Sequence, residues 1–596
     1  MRRKFALLLA LGMAFSMTAC GGGAGNSGDE GAGGAVENVY NVPGTDKTEL
    51  KVINFNGGFG SVWIDEAAER FAELKKDEHY ANGKTGIYIA IDKTMTVNSS
   101  YMAGSTYSVY IDERHSDIMA LAQANLLLPI TDIVKDTSRV GGALEDKLFD
   151  QVKGSLMGTD DEYYALPHYE GYGNFTYNYE VFEKENAFFA AEDETNKWLY
   201  QSTSYGDAYL VTSKDAKRSV GPDGKANTED DGLPRSMDEM IILMDYLKTQ
   251  TDYAPIILSG MYPNYMNYAI CALWASLAGK EQMQNYYNGT GTIEVIDYDH
   301  PDGAFYNEPL FTGIDYIKKP RTKKVTMTEE TGYLGNDMVA KYYAVALLEI
   351  IEKEGFYSQD TYNEQRTHLQ AQKNLYMGGT GVYDKAAMLI DGTYWHNEAK
   401  VNGGFNDMTK LTGKKAEDLD LRVMSMPTAY YATDEVVEEP TTLLDVFFAY
   451  TMINGNIKNN EELKRAAKEF VQFLYSEQEL INFSISTGVA RPIKYEMNST
   501  SLSKVNSYYR RMWSLRDNNG GNIVYLSGTT NAFKKAKNSL ALHMECPTLV
   551  NGTQLSFFSA FQDSTKNADG TYKSGTQAMF AANRIGEAAW KRLLGI

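Results

Sequence analysis

Short apolar runs alternating with helix-spaced stretches constrain this chain more than any other feature of its 596 residues. Leu50 to Phe55 is a strand-like run that turns into Asn56-Gly57-Gly58-Phe59-Gly60, a glycine-rich bend. Trp63 to Leu74 follows with apolar positions at helical spacing and charges between them. Gly86 to Ile91 predicts a second strand and Tyr107 to Ile111 a third, with a helical stretch from Ser116 to Leu128. Alternation of this kind predicts a parallel α/β layer at the N-terminal end. From Tyr172 to about Met424 the pattern changes to longer helices (Met237 to Leu247, Tyr265 to Leu277, Met338 to Lys353) among loops rich in Tyr, Asn and Gly. A strand-like run at Leu421 to Met426 and an amphipathic helix at Glu461 to Tyr475 return to α/β character, and the last hundred residues read as helices and loops. The chain is therefore expected to cross between two lobes more than once.

Charge removes whole classes of function. With 57 basic and 78 acidic residues the formal charge is -21, whereas a nucleic-acid binder needs a basic face to displace counterions from phosphate. Three cysteines cannot hold a chain of this size as a disulfide scaffold. Sequence leaves open whether Cys271 and Cys546 pair. The 42 tyrosines are the unusual count, and each supplies a flat aromatic face with a polar tip.

The first residues read Arg2-Arg3-Lys4, then an apolar run from Phe5 to Met17, then Thr18-Ala19-Cys20. A basic start, an apolar core too short to span a bilayer stably and small residues before a cut describe a secretory signal over 1–19. Met17-Thr18-Ala19-Cys20 resembles a bacterial lipobox, which implies lipidation of Cys20 and anchoring through acyl chains, with an ordinary signal cut near Ala19 as the alternative. Residues 20–46, dominated by glycine from Gly21 to Gly34, read as a flexible tether.

Four further segments accompany the lipobox: Ser116-Asp117-Ile118-Met119-Ala120-Leu121 through Leu127; Tyr164-Ala165-Leu166-Pro167 with Tyr177-Asn178 ten residues on; Lys385-Ala386-Ala387-Met388-Leu389-Ile390-Asp391-Gly392-Thr393-Tyr394-Trp395; and Ala466 to Leu474 with Ser486-Thr487-Gly488-Val489-Ala490-Arg491-Pro492 after it. Together and in this order they resemble the bacterial extracellular solute-binding proteins of carbohydrate ABC transporters, family 1, maltose-binding-protein-like. The chain departs from the family in its greater length, and in having Gly392 and Thr393-Tyr394 where the family has a glycine and a proline before its tryptophan.

The resemblance implies an α/β, two-lobed, hinged, periplasmic-binding-protein-like fold with multiple lobe crossings. Residues 47–168 and 422–497 would form the first lobe, and 169–421 with 498–596 the second. It implies a non-enzymatic monomer, outside the cytoplasm and held by its lipid to the outer face of the cell membrane. Such a protein captures a carbohydrate, an oligosaccharide for a site this rich in aromatics, and delivers it to permease subunits. It would bind no nucleic acid and require no cofactor. A ligand shifts lobe closure only by its differential affinity for the closed state, so contacts must come from both lobes.

Trp395 resembles the family's stacking tryptophan; the alternative is a core tryptophan of the second lobe. Glu113, Arg114 and Asp117 follow the third strand, where ligands of α/β folds bind, and Phe59 and Trp63 follow the first by the same logic. Glu170 and Tyr172 lie where the resemblance puts the first crossing, facing either the cleft or the hinge. Tyr262, Asn264, Tyr265 and Asn267 belong to an aromatic and amide loop opening a helix, and correspond loosely to a ligand-contacting stretch of the family. The segment Gly221 to Gly232, with Asp223, Asn227, Glu229, Asp230 and Asp231, offers the oxygen ligands of a structural calcium site. Lys225 stands where an acid would be and no Glu closes the loop, so a solvated turn is the alternative. The competing functions are a cell-surface glycoside hydrolase, which needs two carboxylates across a cleft, and an adhesive carbohydrate-binding lipoprotein. No His-Glu-x-x-His, Gly-x-Ser-x-Gly or phosphate-loop pattern occurs.

Overall fold

The computed structural model describes residues 38–55, 58, 60–93, 98–113, 118–158, 160–434, 442–445, 449–516, 522–525, 557–562 and 574–595. Cys20, Phe59, Arg114, Asp117 and Cys546 lie outside them.

Nine strands build two central sheets: β1 Thr48–Asn54, β2 Ile87–Asp92, β3 Val109–Glu113, β4 Ala165–Pro167, β5 Gly173–Asn178, β6 Ala254–Ile257, β7 Ala386–Gly392, β8 Leu421–Val423 and β9 Ala449–Ile453. The first sheet has the order β2-β1-β3-β9-β4, the second β6-β7-β5-β8. β1 pairs parallel with β2 and β3, and β9 enters antiparallel between β3 and β4. β1 forms because Leu50, Val52 and Ile53 are all completely buried, apolar and of high strand propensity. The glycine bend then feeds helix α1, Val62–Leu74, whose Trp63, Ile64, Ala67, Ala68, Phe71 and Ala72 turn inward. The three N-terminal strands and this helix fall within two residues of the sequence expectation.

In the second sheet β7 is buried along its whole length, parallel to β6 and antiparallel to β5. Helices Met237–Gln250 and Met266–Asn288 pack on this sheet, and Val339–Lys353 packs on Met266–Asn288. Met266–Asn288 is kinked at Gly279, whose φ of 72° breaks the helical path. The middle of the chain also holds three antiparallel hairpins where loops were expected: Lys197–Ser202 with Gly206–Val211, Phe305–Phe311 with Ile314–Pro320, and Thr292–Ile296 with Thr322–Thr326.

The boundary expected at 422 needs correction. Arg422 and Val423 belong to β8, which pairs with β5 in the second sheet, and the chain rejoins the first sheet only at β9. Helices Glu461–Leu474 and Glu477–Thr487 then pack on the first sheet's side, where Arg70 of α1 makes two hydrogen bonds of 2.8 and 2.7 Å to Glu479. Beyond 498, helix Ser507–Leu515 packs on β8, and Gly575–Asn583 docks on Val339–Lys353 through its N-terminal amides and Ser574, all bonded to buried Glu349.

Candidate ligand site between two sheet edges

β1, β2, β3 and β4 all end at one edge of the first sheet, because β4 is antiparallel to β9 and β9 to β3. β7 ends at Gly392 directly opposite Gly173, the first residue of β5. The chain passes from Pro167 to Gly173 through His168–Tyr172 alone, so these two edges must face one another. Thr393 ties the second edge to this crossing: its N–H donates to the Tyr172 carbonyl at 2.9 Å, and its hydroxyl accepts from the Tyr172 N–H at 3.2 Å. Gly58 and Gly60 lie at the same place. A Cβ on Gly58 would lie 2.3 Å from Cδ2 of Tyr394, and one on Gly60 2.9 Å from Val401.

On the second-sheet side the polar groups form a connected buried network. The Gln372 amide donates to Asp391 at 3.2 Å and to Glu398 at 2.8 Å, and Glu398 also pairs with His368 at 3.1 Å. Burial first, then the neighbouring Glu398, pushes the Asp391 carboxyl up to about 7. Tyr262 stacks on Tyr265 at 5.8 Å, both rings border His368, and the hydroxyls of Tyr268 and Tyr394 meet at 2.9 Å. Asn264 and Asn267 of the same loop are half-buried, and Asn267 Oδ1 has no hydrogen-bond partner.

Trp395 is enclosed in this arrangement. It is 0% exposed, its Nε1 donates to Thr176 at 2.9 Å, and Tyr376, Tyr508 and His396 surround the ring, so its polar atom is already met. Its neighbour Tyr394 is the aromatic that meets the opposite lobe. Glu170 is held inside the crossing by four hydrogen bonds. Arg516 Nε donates to it at 2.6 Å and Nη2 at 3.0 Å, Tyr525 Oη at 2.7 Å, and Tyr172 Oη to the remaining side. Four donors saturate the carboxylate and hold Tyr172 in the same cluster. Glu113 closes β3 opposite Ala449.

The first-sheet side is different. Trp63 is 3% exposed and its Nε1 has no hydrogen-bond partner. Its ring lies 5.2 Å from His168 and 5.0 Å from Phe483. Arg491 is completely buried with its guanidinium carbon 5.3 Å from the Trp63 ring centroid, 4.6 Å from Tyr475 and 4.4 Å from Phe483. Burial and that cation depress His168 far below its ordinary value, so it is neutral. Asn54, at the end of β1, leaves both side-chain polar atoms unpartnered. Sequence reasoning missed Tyr268, His368, Gln372, Asp391, Tyr394, Glu398 and Arg491. Asp391, Tyr394 and Arg491 stand inside the quoted motifs, within a few residues of the ones singled out.

In the 221–232 loop Asp223, Asp230 and Asp231 converge on the Thr228 hydroxyl at 3.4, 2.7 and 3.2 Å. Backbone amides of Asp223, Lys225, Asn227 and Thr228 donate to the same carboxylates, and burial followed by Asp223's charge raises Asp230 to about 6. Glu229 points outward, 3.9 Å from Arg511. Among the described residues no group of three or more His, Cys, Asp or Glu side chains is placed to hold a metal ion. Calcium here would have to displace Thr228 and draw the acids inward.

No family model and no curated relative matches the chain. Among solved structures it is similar to the apo-form of RafE from Streptococcus pneumoniae, with 10% identity, 93% of this chain and 99% of that one covered, and a TM-score of 0.50. Two others are a chitin oligosaccharide binding protein (13% identity, 90% and 99% covered, TM-score 0.47) and the SBP RafE in complex with raffinose (10%, 92% and 100%, 0.49). At such identities the likeness to apo RafE is one of fold, and the fold is α/β with two sheets joined by repeated crossings.

Proposed function

We propose that the chain is the solute-binding component of an ABC importer, closing two lobes on a carbohydrate and presenting it to membrane permease subunits. The observation that carries this reading is the apposition of the two sheet edges, with Gly58 of one against Tyr394 of the other. Hinged binding proteins place ligands between such edges, and the fold is shared with RafE, which another solved structure holds with raffinose. The tyrosine-rich loop at 262–268 supplies sugar-stacking chemistry, and an oligosaccharide matches its extent.

A hydrolase is disfavoured because the buried acids Asp391 and Glu398 share one glutamine amide on one side of the interface, whereas glycoside cleavage needs carboxylates on opposite sides of the bond. Lipidation at Cys20 and residence on the outer face of the membrane belong to the same proposal. Among the described residues no helix is long and apolar enough to cross a bilayer.

Calorimetric titration of the full chain with a panel of neutral and charged oligosaccharides tests the reading. Saturable heat with the sugar recovered intact is expected. Continuing heat with cleavage products would establish the hydrolase instead, and no heat with any saccharide would remove carbohydrate as the ligand. Calcium at the 221–232 loop is proposed with it: millimolar calcium should raise Tm by roughly 2–4 °C, an effect lost in Asp231→Asn. An unchanged Tm would leave the loop closed by Thr228 alone.

A further inference from the structure

Arg491 is a completely buried cation, and among the described residues no carboxylate lies within ion-pair distance of it. Glu170, the acid nearest in sequence to the crossing, is saturated by Arg516, Tyr172 and Tyr525. Arg491 Nε and Nη1 have no hydrogen-bond partner; three aromatic rings supply cation–π attraction, and the Tyr475 hydroxyl also interacts with the guanidinium. Buried charges and buried donors are ordinarily paired, since leaving them unmet is costly. The same place holds a second orphan donor, Trp63 Nε1. It also holds the N-terminus of α1, whose N-cap Ser61 makes no side-chain hydrogen bond to the first-turn amides. A helix N-terminus attracts anions through those amides and the dipole. The one acid in that first turn, Asp65, is engaged by Lys93 at 2.7 Å.

We propose that this first-sheet edge is a subsite for an anionic oxygen group carried on the captured saccharide, received by Arg491, Trp63 Nε1 and the first-turn amides of α1. The proposal rests on the carbohydrate reading above and narrows it to acidic sugars, with a uronic carboxylate or a sulfate ester as the two sources of that chemistry. The net charge of -21 does not oppose it, because surface charges are largely screened beyond about 8 Å at physiological salt, whereas the subsite acts at contact. A neutral sugar would leave the guanidinium without a counter-charge. An acidic one converts two orphan donors into charge-assisted bonds.

Trigalacturonate and its fully methylated ester, and a sulfated galactotetraose and its unsulfated parent, are titrated into the full chain beside neutral oligosaccharides. The expected result is about tenfold tighter binding of at least one acid than of its neutral counterpart, weakening as salt is raised. Which pair shows the preference identifies carboxylate or sulfate. Trp63→Phe, which keeps the ring and deletes Nε1, should reduce the preference, and Arg491→Gln should abolish it. Arg491→Lys, folded or not by near-UV circular dichroism, separates charge from the forked geometry. Equal or tighter binding of the neutral member in both pairs, or binding of neutral oligosaccharides alone, overturns the anionic subsite and leaves the carbohydrate reading standing. Absence of binding by every saccharide overturns both.

Discussion

The two facing edges use similar residue types but meet their polar groups differently. At the second-sheet edge Asp391, Gln372, Glu398 and His368 are joined in one network that leaves Gln372 Oε1 unmet, Tyr268 meets Tyr394, and Trp395 is held by Thr176. At the first-sheet edge Asn54, Trp63 and Arg491 are equally buried yet carry donors with no partner. A buried donor without a partner regains a full hydrogen bond when an acceptor arrives. What sets the first edge apart is a buried charged donor, Arg491, with Nε and Nη1 unmet. The crossing between them holds a well-satisfied acid, with four donors on Glu170.

The largest effects should fall on the satisfied side and appear as stability. Glu170→Ala leaves the Arg516 guanidinium buried without its partner and should cost about 3–5 kcal/mol in urea unfolding. A loss under about 1 kcal/mol would show that the crossing is not anchored there. Trp395→Ala should cost roughly 3–5 kcal/mol by emptying a fully enclosed site, and Trp395→Phe should keep ligand affinity within twofold of the parent at about 1 kcal/mol for the lost Thr176 bond. A strong affinity loss in a stably folded Trp395→Phe would return that ring to the ligand site and break the contrast between the edges.

Asp391 tests the network from within. Its folded value is raised, so it binds a proton more tightly folded than unfolded. The associated stability is fully present below the ordinary carboxylate range and is lost as pH rises through about 7. Asp391→Asn removes that loss, so the Tm advantage of the parent should shrink steadily from pH 5 to pH 8. His168 and His396, whose depressed values act in the opposite direction, are common to both proteins and cancel in the difference. A pH-independent difference would mean that Asp391 is not the proton-sensitive member of the network.

The parts legible in the sequence are those set by local periodicity. β1, β2, β3 and α1 follow from runs such as Leu50-Lys51-Val52-Ile53 and from the inward spacing of Trp63, Ala67 and Phe71. The three middle hairpins were less visible because their strands are half-exposed and short of continuous apolar runs, as in Thr292–Ile296. For the site, motif position marked Asp391 to Trp395 but could not show which aromatic faces outward. That is settled by Thr176, Tyr376 and Tyr508, distant in sequence, closing around Trp395. Glu170 lies between β4 and β5, and its partners Arg516 and Tyr525 arrive from some 350 residues away. Long-range satisfaction of this kind leaves no local pattern.

Gly58 gives the smallest effect and the one specific to the apposition of the edges. Its φ is not in the left-handed region, so a side chain is tolerated by the backbone itself, unlike at Gly60, where φ is 79°. The three atoms nearest an added Cβ all belong to the Tyr394 ring, at 2.3, 3.0 and 3.1 Å, and none to its own lobe. Gly58→Val therefore obstructs only the closed apposition. Melting temperature should stay near the parent value, because the clash is relieved by a small opening and not by unfolding. Ligand affinity should fall about tenfold, near 1.4 kcal/mol, because closure now opposes the bulk of the added side chain. Small-angle scattering should show the liganded variant more extended than the liganded parent. Unchanged affinity together with an unchanged scattering profile would mean that Tyr394 and the β1 bend do not meet on closing.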